Sequence, residues 1–208
     1  FYGAGKWRRH AICHWRQVSG FAATGVARAH QIDNAATALA CADYLGVGEA
    51  AMATGLQTVR WPARLQKLTR GPMLTALTAR LPEAEIYLDG GHNEAAAHIL
   101  ADWLATKAPR PVHLVLGMLA SKAHDKYLAA LAKHTGRGAN IHIHAVPIAG
   151  NENALAPQDL AIAAQKAGFT ATAHDNPAAA VAAIKGDNAL VLIAGSLYLA
   201  GAVLQNHH

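Results

Sequence analysis

Cysteine is scarce. Cys13 and Cys41 are the two in 208 residues and stand at no metal-ligand spacing, which excludes a disulfide-stapled scaffold and a cysteine zinc site; reduced thiols of a cytoplasmic protein are expected instead. Long apolar runs are lacking too. The longest uncharged one, Ala189–Leu204, has 16 residues and is broken by Gly195, Ser196 and Gly201, short of the roughly 20 that a bilayer span needs, so no membrane partner is expected. The chain opens on Phe1 with no initiating methionine, and Lys6, Arg8 and Arg9 lead into no apolar segment. No secretory signal is expected, and the start reads as a cut end. Neither G-x-x-x-x-G-K-[ST] nor G-x-G-x-x-G occurs, and no G-x-S-x-G elbow supports a hydrolase serine. Charged residues make up only 15%, and the net charge of +5 is carried by Lys6, Arg8, Arg9, Arg16 and Arg28, all ahead of the first acid, Asp33. Basic and acidic residues balance in the rest, so no nucleic-acid partner is expected.

What the chain has is a 52% hydrophobic composition, enough for a sizeable core in one domain or a domain and a half. Its organising stretch is Ile86-Tyr87-Leu88-Asp89-Gly90-Gly91-His92-Asn93-Glu94, followed by a helical face of Ile99, Leu100, Trp103 and Leu104. The pattern predicts a strand, a tight turn and a helix. Asp89 and His92 would then project from the carboxyl end of a strand, where open α/β sheets gather ligands. A turn whose polar residues only cap the helix, with Asn93 as N-cap, fits the spacing equally well.

Residues 1–29 show no hydrophobic period. Gln31–Leu45 reads as a helix with Ile32, Ala35, Ala36, Leu39, Ala42 and Leu45 on one face, closed by Gly46 and Gly48, and a short helix runs from Glu49 to about Leu56. Trp61-Pro62 marks a break, because the residue before proline is pushed out of the helical region. Strands are expected at Leu65–Leu68, Glu85–Leu88, Val112–Leu116, Ile141–Val146 and Ala189–Ile193. Helices are expected at Asn93–Ala108, His124–Thr135, Pro157–Ala167, about Asn176–Ile184, and Leu197–Leu204. This alternation predicts an open, mostly parallel α/β sheet with helices on both faces.

Several further groups could carry chemistry. Gln31 and Asn34 fall on the expected first turn of a helix, where their amides either cap the backbone or read a base edge. Arg64 follows a rigid Trp61-Pro62 linker, Gly117-Met118 follows a buried strand, and the backbone of Gly195-Ser196-Leu197 could hold an anion at a helix start. His142 and His144 share one face of a strand, while His92, His98, His113 and His124 are spread along the chain without a cysteine or carboxylate at ligand spacing. No metal site is expected from that spacing.

Taken in order, His30-Gln31-x-x-Asn34-Ala35-Ala36-x-Ala38, Trp61-Pro62-Ala63-Arg64-Leu65, Asp89-Gly90-Gly91-His92-Asn93, Gly117-Met118-Leu119, Val146-Pro147-Ile148 and Gly195-Ser196-Leu197-Tyr198-Leu199 resemble the bifunctional folylpolyglutamate synthase/dihydrofolate synthase family of the Mur ligase superfamily. The resemblance covers about Ala29 to Leu204. It implies that residues 1–57 are the tail of a central P-loop ATPase domain, with 1–28 atypical of it, and that 58–208 are the Rossmann-like C-terminal domain. It implies ATP and Mg²⁺ as cofactors, with the metal ligands mainly outside this stretch, and L-glutamate with a pteroate or folate as substrates. By the same resemblance Asn34 contacts the adenine, Arg64 the phosphates and Asp89 the ribose hydroxyls; His92 lines the cleft as a catalytic candidate with Arg64, and Ser196 lies near the incoming glutamate. The chain departs from the family's pattern at Ala63 (usually glycine), Gly91 (alanine), Glu94 (proline) and Lys122-Ala123-His124-Asp125 (a lysine-aspartate pair). A related ligase with another amino-acid substrate, or a Rossmann-like module without chemistry, are the alternative readings.

Overall fold

The computed structural model describes residues 25–135 and 140–205. The stretch 1–24, with Cys13, and the tail His207-His208 lie outside the described residues. The chain divides into two units, Phe1–Trp61 and Pro62–His208.

In the first unit, α1 (Gly25–Tyr44) and α2 (Glu49–Thr58) are joined through Gly46, whose φ of 76° turns the chain. Ala35 and Leu39 of α1 and Met52 of α2 are buried, with Ile32, Ala40, Ala42 and Leu56 packed around them. That is most of the expected stripe; Leu45, placed on it by spacing, is 76% exposed just past the helix end. The helix starts earlier than expected, at Gly25. Gln31 and Asn34 therefore lie inside α1 and not on its first turn, so neither can cap its start. Cys41 is an exposed free thiol.

The second unit carries β1 (Gln66–Lys67), α3 (Pro72–Thr78), β2 (Glu85–Leu88), α4 (Glu94–Ala105), β3 (Val112–Leu116), α5 (His124–Thr135), β4 (Ile141–Ala145), α6 (Pro157–Lys166), β5 (Thr170–Ala173), α7 (Pro177–Ala183), β6 (Leu190–Ala194) and α8 (Leu197–Gln205). The six strands form one sheet in the order β1-β2-β6-β3-β4-β5. Only β1 runs antiparallel, on the edge beside β2. β6 is central, pairs in parallel with β2 and β3, and all five of its residues are buried, as expected for a strand covered on both faces.

Residue alternation sends Leu114, Leu116, Ile143, Leu190 and Leu192 to one face, under Leu100 and Trp103 of α4, Leu128 and Leu131 of α5 and Leu160 of α6. Ile86, Leu88, Val115, Val191 and Ile193 face the other side, against Leu77 of α3, Val181 of α7 and Leu199 and Val203 of α8. The fold is thus a mostly parallel α/β sheet with helices on both faces. Among the described residues no helix is long and apolar enough to cross a membrane.

The amino-terminal side of the sheet is tied by a charge cluster. The Glu85 carboxylate accepts from Lys67 Nζ on β1 and from Arg110 Nη1 just before β3. Arg110 also donates through Nε to the Asn188 carbonyl at 3.1 Å. Desolvation pushes the Glu85 pKa up, but the hydrogen bonds and charges of Lys67 and Arg110 outweigh it and hold the carboxyl below its ordinary 4.5. A carboxylate whose pKa is lower folded than unfolded contributes stability above its unfolded pKa and loses it as pH falls through the folded value. Glu85→Gln should therefore cost about 1–3 kcal/mol at pH 7, between the values for exposed and buried pairs. The gap to the parent should close as pH drops below about 4.5. Urea unfolding from pH 7 to pH 3 checks this; a gap that stays constant with pH would assign the loss to packing.

Candidate functional site

Four of the five residues singled out by the sequence lie in the second unit, held by three segments: the turns after β2 and β6 and the loop that leads into the antiparallel β1 beside them. β2 ends at Leu88, and the Asp89 N–H extends the ladder by donating to Ile193 O at 2.9 Å. The Asp89 side chain turns inward and is only 8% exposed. Its Oδ1 accepts from Gly91 N at 2.7 Å and its Oδ2 from Leu65 N at 2.8 Å. A buried carboxylate held by two backbone N–H groups is fixed in place. The capping alternative accounts for Asn93, whose side chain accepts from Ala96 N and starts α4. It does not account for Asp89, which bonds to the loop before β1.

That loop, Pro62–Leu65, is bent by two residues in the left-handed region, Ala63 at φ 55° and Leu65 at φ 44°. The bend aims Leu65 N at Asp89, and lets the Ala63 carbonyl accept from Gly90 N at 2.9 Å and from Arg64 Nη1 at 3.0 Å. Ala63 N in turn donates to Gln66 Oε1 at 2.9 Å. Arg64 and Asp89 are therefore held at one strand end by backbone geometry. Gly90 lies close under both side chains: a Cβ on it would stand 2.2 Å from Leu197 Cδ2 and 3.0 Å from Arg64 Nη1, so the Leu197 side chain would have to swing away.

Ala63 occupies a position suited to glycine. An L-residue there carries about 1–2 kcal/mol of strain. Glycine would relieve it but would lose a methyl group that is buried, Ala63 being 3% exposed, and would gain entropy in the unfolded chain. Ala63→Gly is expected to change stability by less than about 1 kcal/mol. Thermal unfolding checks this, and a loss above about 2 kcal/mol would mean that the methyl group anchors the loop.

His92 is half-buried, and its Nδ1 lies 3.0 Å from Gly90 O. A carbonyl only accepts, so Nδ1 carries the proton. The third segment follows β6: Gly195 N donates to Gly91 O at 3.1 Å and joins it to the Asp89 turn. Ser196 is buried, and its Oγ accepts from Tyr198 N at 3.1 Å as a cap for α8. Beyond it Leu197 and Tyr198 are 49% and 63% exposed, and the Leu197 side chain lies against Gly90. Beneath the site, on α5, the Tyr127 hydroxyl is buried with no hydrogen-bond partner among the described residues. Burial, and secondarily the Asp89 charge, push its pKa well above the ordinary value. Asn34 belongs to the first unit and is exposed there on α1.

An open, mostly parallel sheet with helices on both faces and glycine turns at the strand carboxyl ends is a Rossmann-like fold, and in such folds ligands gather at those ends. Residues 75–206 match the family model described as dihydrofolate synthetase, C-terminal domain. A folylpolyglutamate synthase of Lacticaseibacillus casei is 32% identical over 153 residues, which are 73% of this chain and 31% of that protein. The dihydrofolate synthase/folylpolyglutamate synthase of Bacillus subtilis is 26% identical over 185 residues, 84% of this chain and 38% of its own length. Among solved structures, folylpolyglutamate synthase of Mycobacterium tuberculosis complexed with ADP and AMPPCP superposes with a TM-score of 0.63 at 26% identity, over 85% of this chain and 39% of that one. The chain belongs to the folylpolyglutamate synthase/dihydrofolate synthase family and carries its C-terminal domain. It matches only 31% and 38% of the length of these two curated relatives.

Proposed function

We propose that this chain is the C-terminal part of an ATP-dependent ligase that joins L-glutamate to dihydropteroate, to tetrahydrofolate or to both, and that it does not act alone. The reading rests foremost on Asp89, a buried carboxylate fixed at a strand end by Leu65 N and Gly91 N beside Arg64. A planar pair of acceptor oxygens suits a ribose diol, and a guanidinium suits phosphate oxygens. The Mycobacterium tuberculosis relative, complexed with ADP and AMPPCP, supports a nucleotide as the ligand. Transfer of the ATP γ-phosphoryl group to the substrate carboxylate, with ADP leaving, followed by attack of the glutamate amine on the acyl phosphate to give an amide with release of inorganic phosphate and a proton, is the chemistry that ATP would supply.

In this division of labour Asp89 orients the ribose and Arg64 meets the phosphates. His92, with its Nδ1 proton committed to Gly90 O, presents Nε2 to the cleft. Ser196 shapes the glutamate side by fixing the start of α8, since its Oγ already serves as the cap. Mg²⁺ would be held mostly by residues of the P-loop part. Among the described residues the one cluster of three or more candidate metal ligands is made of histidines, which suit Mg²⁺ poorly. The reading also places the protein in the cytoplasm, with small molecules as its partners.

An ADP-release assay with ATP, glutamate and either dihydropteroate or tetrahydrofolate tests this. The 208-residue chain alone should release no ADP, and a protein joining it to a P-loop domain should do so with at least one of the two acceptors. Turnover with a different amino acid or acceptor only would place it with a sibling ligase of the superfamily. No turnover by the joined protein with any of them would make the chain a binding module without chemistry.

A further inference from the structure

The sheet also brings histidines together, on the strands away from Asp89. The β3–β4 register pairs His113 with His142 and Val115 with His144, and the β4–β5 register pairs His144 with Thr172. Alternation puts all of these on the face that α3, α7 and α8 cover elsewhere through Val115, Val191 and Ile193. Histidine and threonine stand where that face would otherwise be apolar. His113 Nδ1 is 3.0 Å from His144 Nε2, and His144 Nδ1 is 2.9 Å from His174 Nε2. The His142 and His144 rings stack with centroids 4.3 Å apart. His144 is 3% exposed, while His113, His142 and His174 are half-buried, which leaves the cluster one open side.

We propose that His113, His142 and His144 form a binding site for a divalent transition-metal ion of the Zn²⁺ class, separate from the nucleotide site. One ligand nitrogen from each of the three lies within 4.8 Å of the others. A tetrahedral ion at about 2.0–2.1 Å from its ligands sets those nitrogens roughly 3.3 Å apart, so small side-chain rotations close the site. The fourth position falls on the open side, where water completes the shell. His144 Nδ1 is already paired with His174 Nε2, so His144 Nε2 is the nitrogen that faces the ion, and Thr172 Oγ1 lies 3.0 Å from both His142 Nε2 and His174 Nε2. This outer ring orients the ligands as second partners do in known zinc sites.

The donor set names the class of ion. Three imidazoles without a carboxylate suit Zn²⁺, Cu²⁺ or Ni²⁺ and give Mg²⁺ or Ca²⁺ nothing hard to bind. β4 is separated from β2 by β6 and β3, so the ion would cross-link β3 to β4 without touching the Asp89 turn.

The test is titration of the full chain with Co²⁺, then Zn²⁺, with Mg²⁺ as the control. One equivalent of Co²⁺ should bind with the strong visible bands of a tetrahedral site and be displaced by Zn²⁺, and Mg²⁺ should have no effect. His113→Gln and His142→Gln should each weaken binding at least about 10-fold with unchanged far-UV circular dichroism. Replacing both His207 and His208 by alanine should leave binding intact. If His113→Gln does not fold, His142→Gln on its more open side decides alone. Only pale octahedral bands, or an affinity that His142→Gln leaves unchanged, would overturn the assignment.

Discussion

Arg64→Ala, in a ligase that carries this domain, is expected to lower kcat by about 10- to 1,000-fold, the scale on which single electrostatic donors are lost at reacting centres. The guanidinium is held at the strand end by its own loop, with Nη1 donating to Ala63 O at 3.0 Å. Negative charge grows on the transferred phosphoryl oxygens as the acyl phosphate forms, so an Arg64 placed against them binds the transition state more strongly than the ground state. Asp89→Ala should behave differently. Ribose hydroxyls carry no developing charge, so losing their partner removes uniform binding and raises KM for ATP with a smaller change in kcat. The substitution also leaves Leu65 N and Gly91 N without the oxygens that accept from them, at about 1–3 kcal/mol for each buried donor left unmade. Unfolding must therefore be measured alongside the kinetics. Steady-state parameters equal to the parent's in both variants would reduce the Asp89 turn to a structural joint and remove the proposed nucleotide roles.

Legibility in the sequence tracked length and burial. β6, apolar on both faces, and β3, apolar but for His113, read directly from the run after Ala189 and from Val112–Leu116, and the lengths of α5 and α6 followed from their stripes. Two elements did not read. α3 has seven residues, beginning at Pro72 after Gly71, too few for a helical period to show. β5 is Thr170–Ala173 at the sheet edge, with only Ala171 buried, so its alternation carries no apolar signal. The Asp89 turn was legible as strand, turn and helix. The contact that fixes Asp89 was not, because Leu65 N reaches it from 24 residues away through two left-handed residues. The histidine cluster divides likewise. His142 and His144 share a face by the period of a strand, but His113 joins them only through the β3–β4 register, which spacing along the chain does not encode.

Gly195→Ala is expected to be among the most destabilising single-methyl changes in the domain, at about 3–5 kcal/mol. Gly195 sits at φ 101°, and a Cβ there would stand 2.7 Å from Gly117 O, 2.7 Å from Leu116 Cδ1 and 3.0 Å from Met118 Cγ. Leu116 could rotate, but the Gly117 carbonyl is backbone and cannot retreat easily, because Gly117 itself is packed with its own Cβ position 3.0 Å from Val146 O. Conformational strain of about 1–3 kcal/mol and overpacking of similar size therefore act together. Against a total stability of about 5–15 kcal/mol this is a large share. The effect should reach the candidate site, since Gly195 N donates to Gly91 O at 3.1 Å and Gly91 N in turn holds Asp89. Gly201→Ala is the matched control. It lies in α8, where an added Cβ meets nothing within 4 Å, and alanine in a helix interior should stabilise by up to about 1 kcal/mol. Urea unfolding of the two variants should move in opposite directions. In the complete ligase only Gly195→Ala should also weaken ATP binding. Equal and small shifts for the two glycines would mean that the Leu116–Met118 strand end yields to a methyl group, and that the close approach of the β3 and β6 turns is not needed to hold the Asp89 turn.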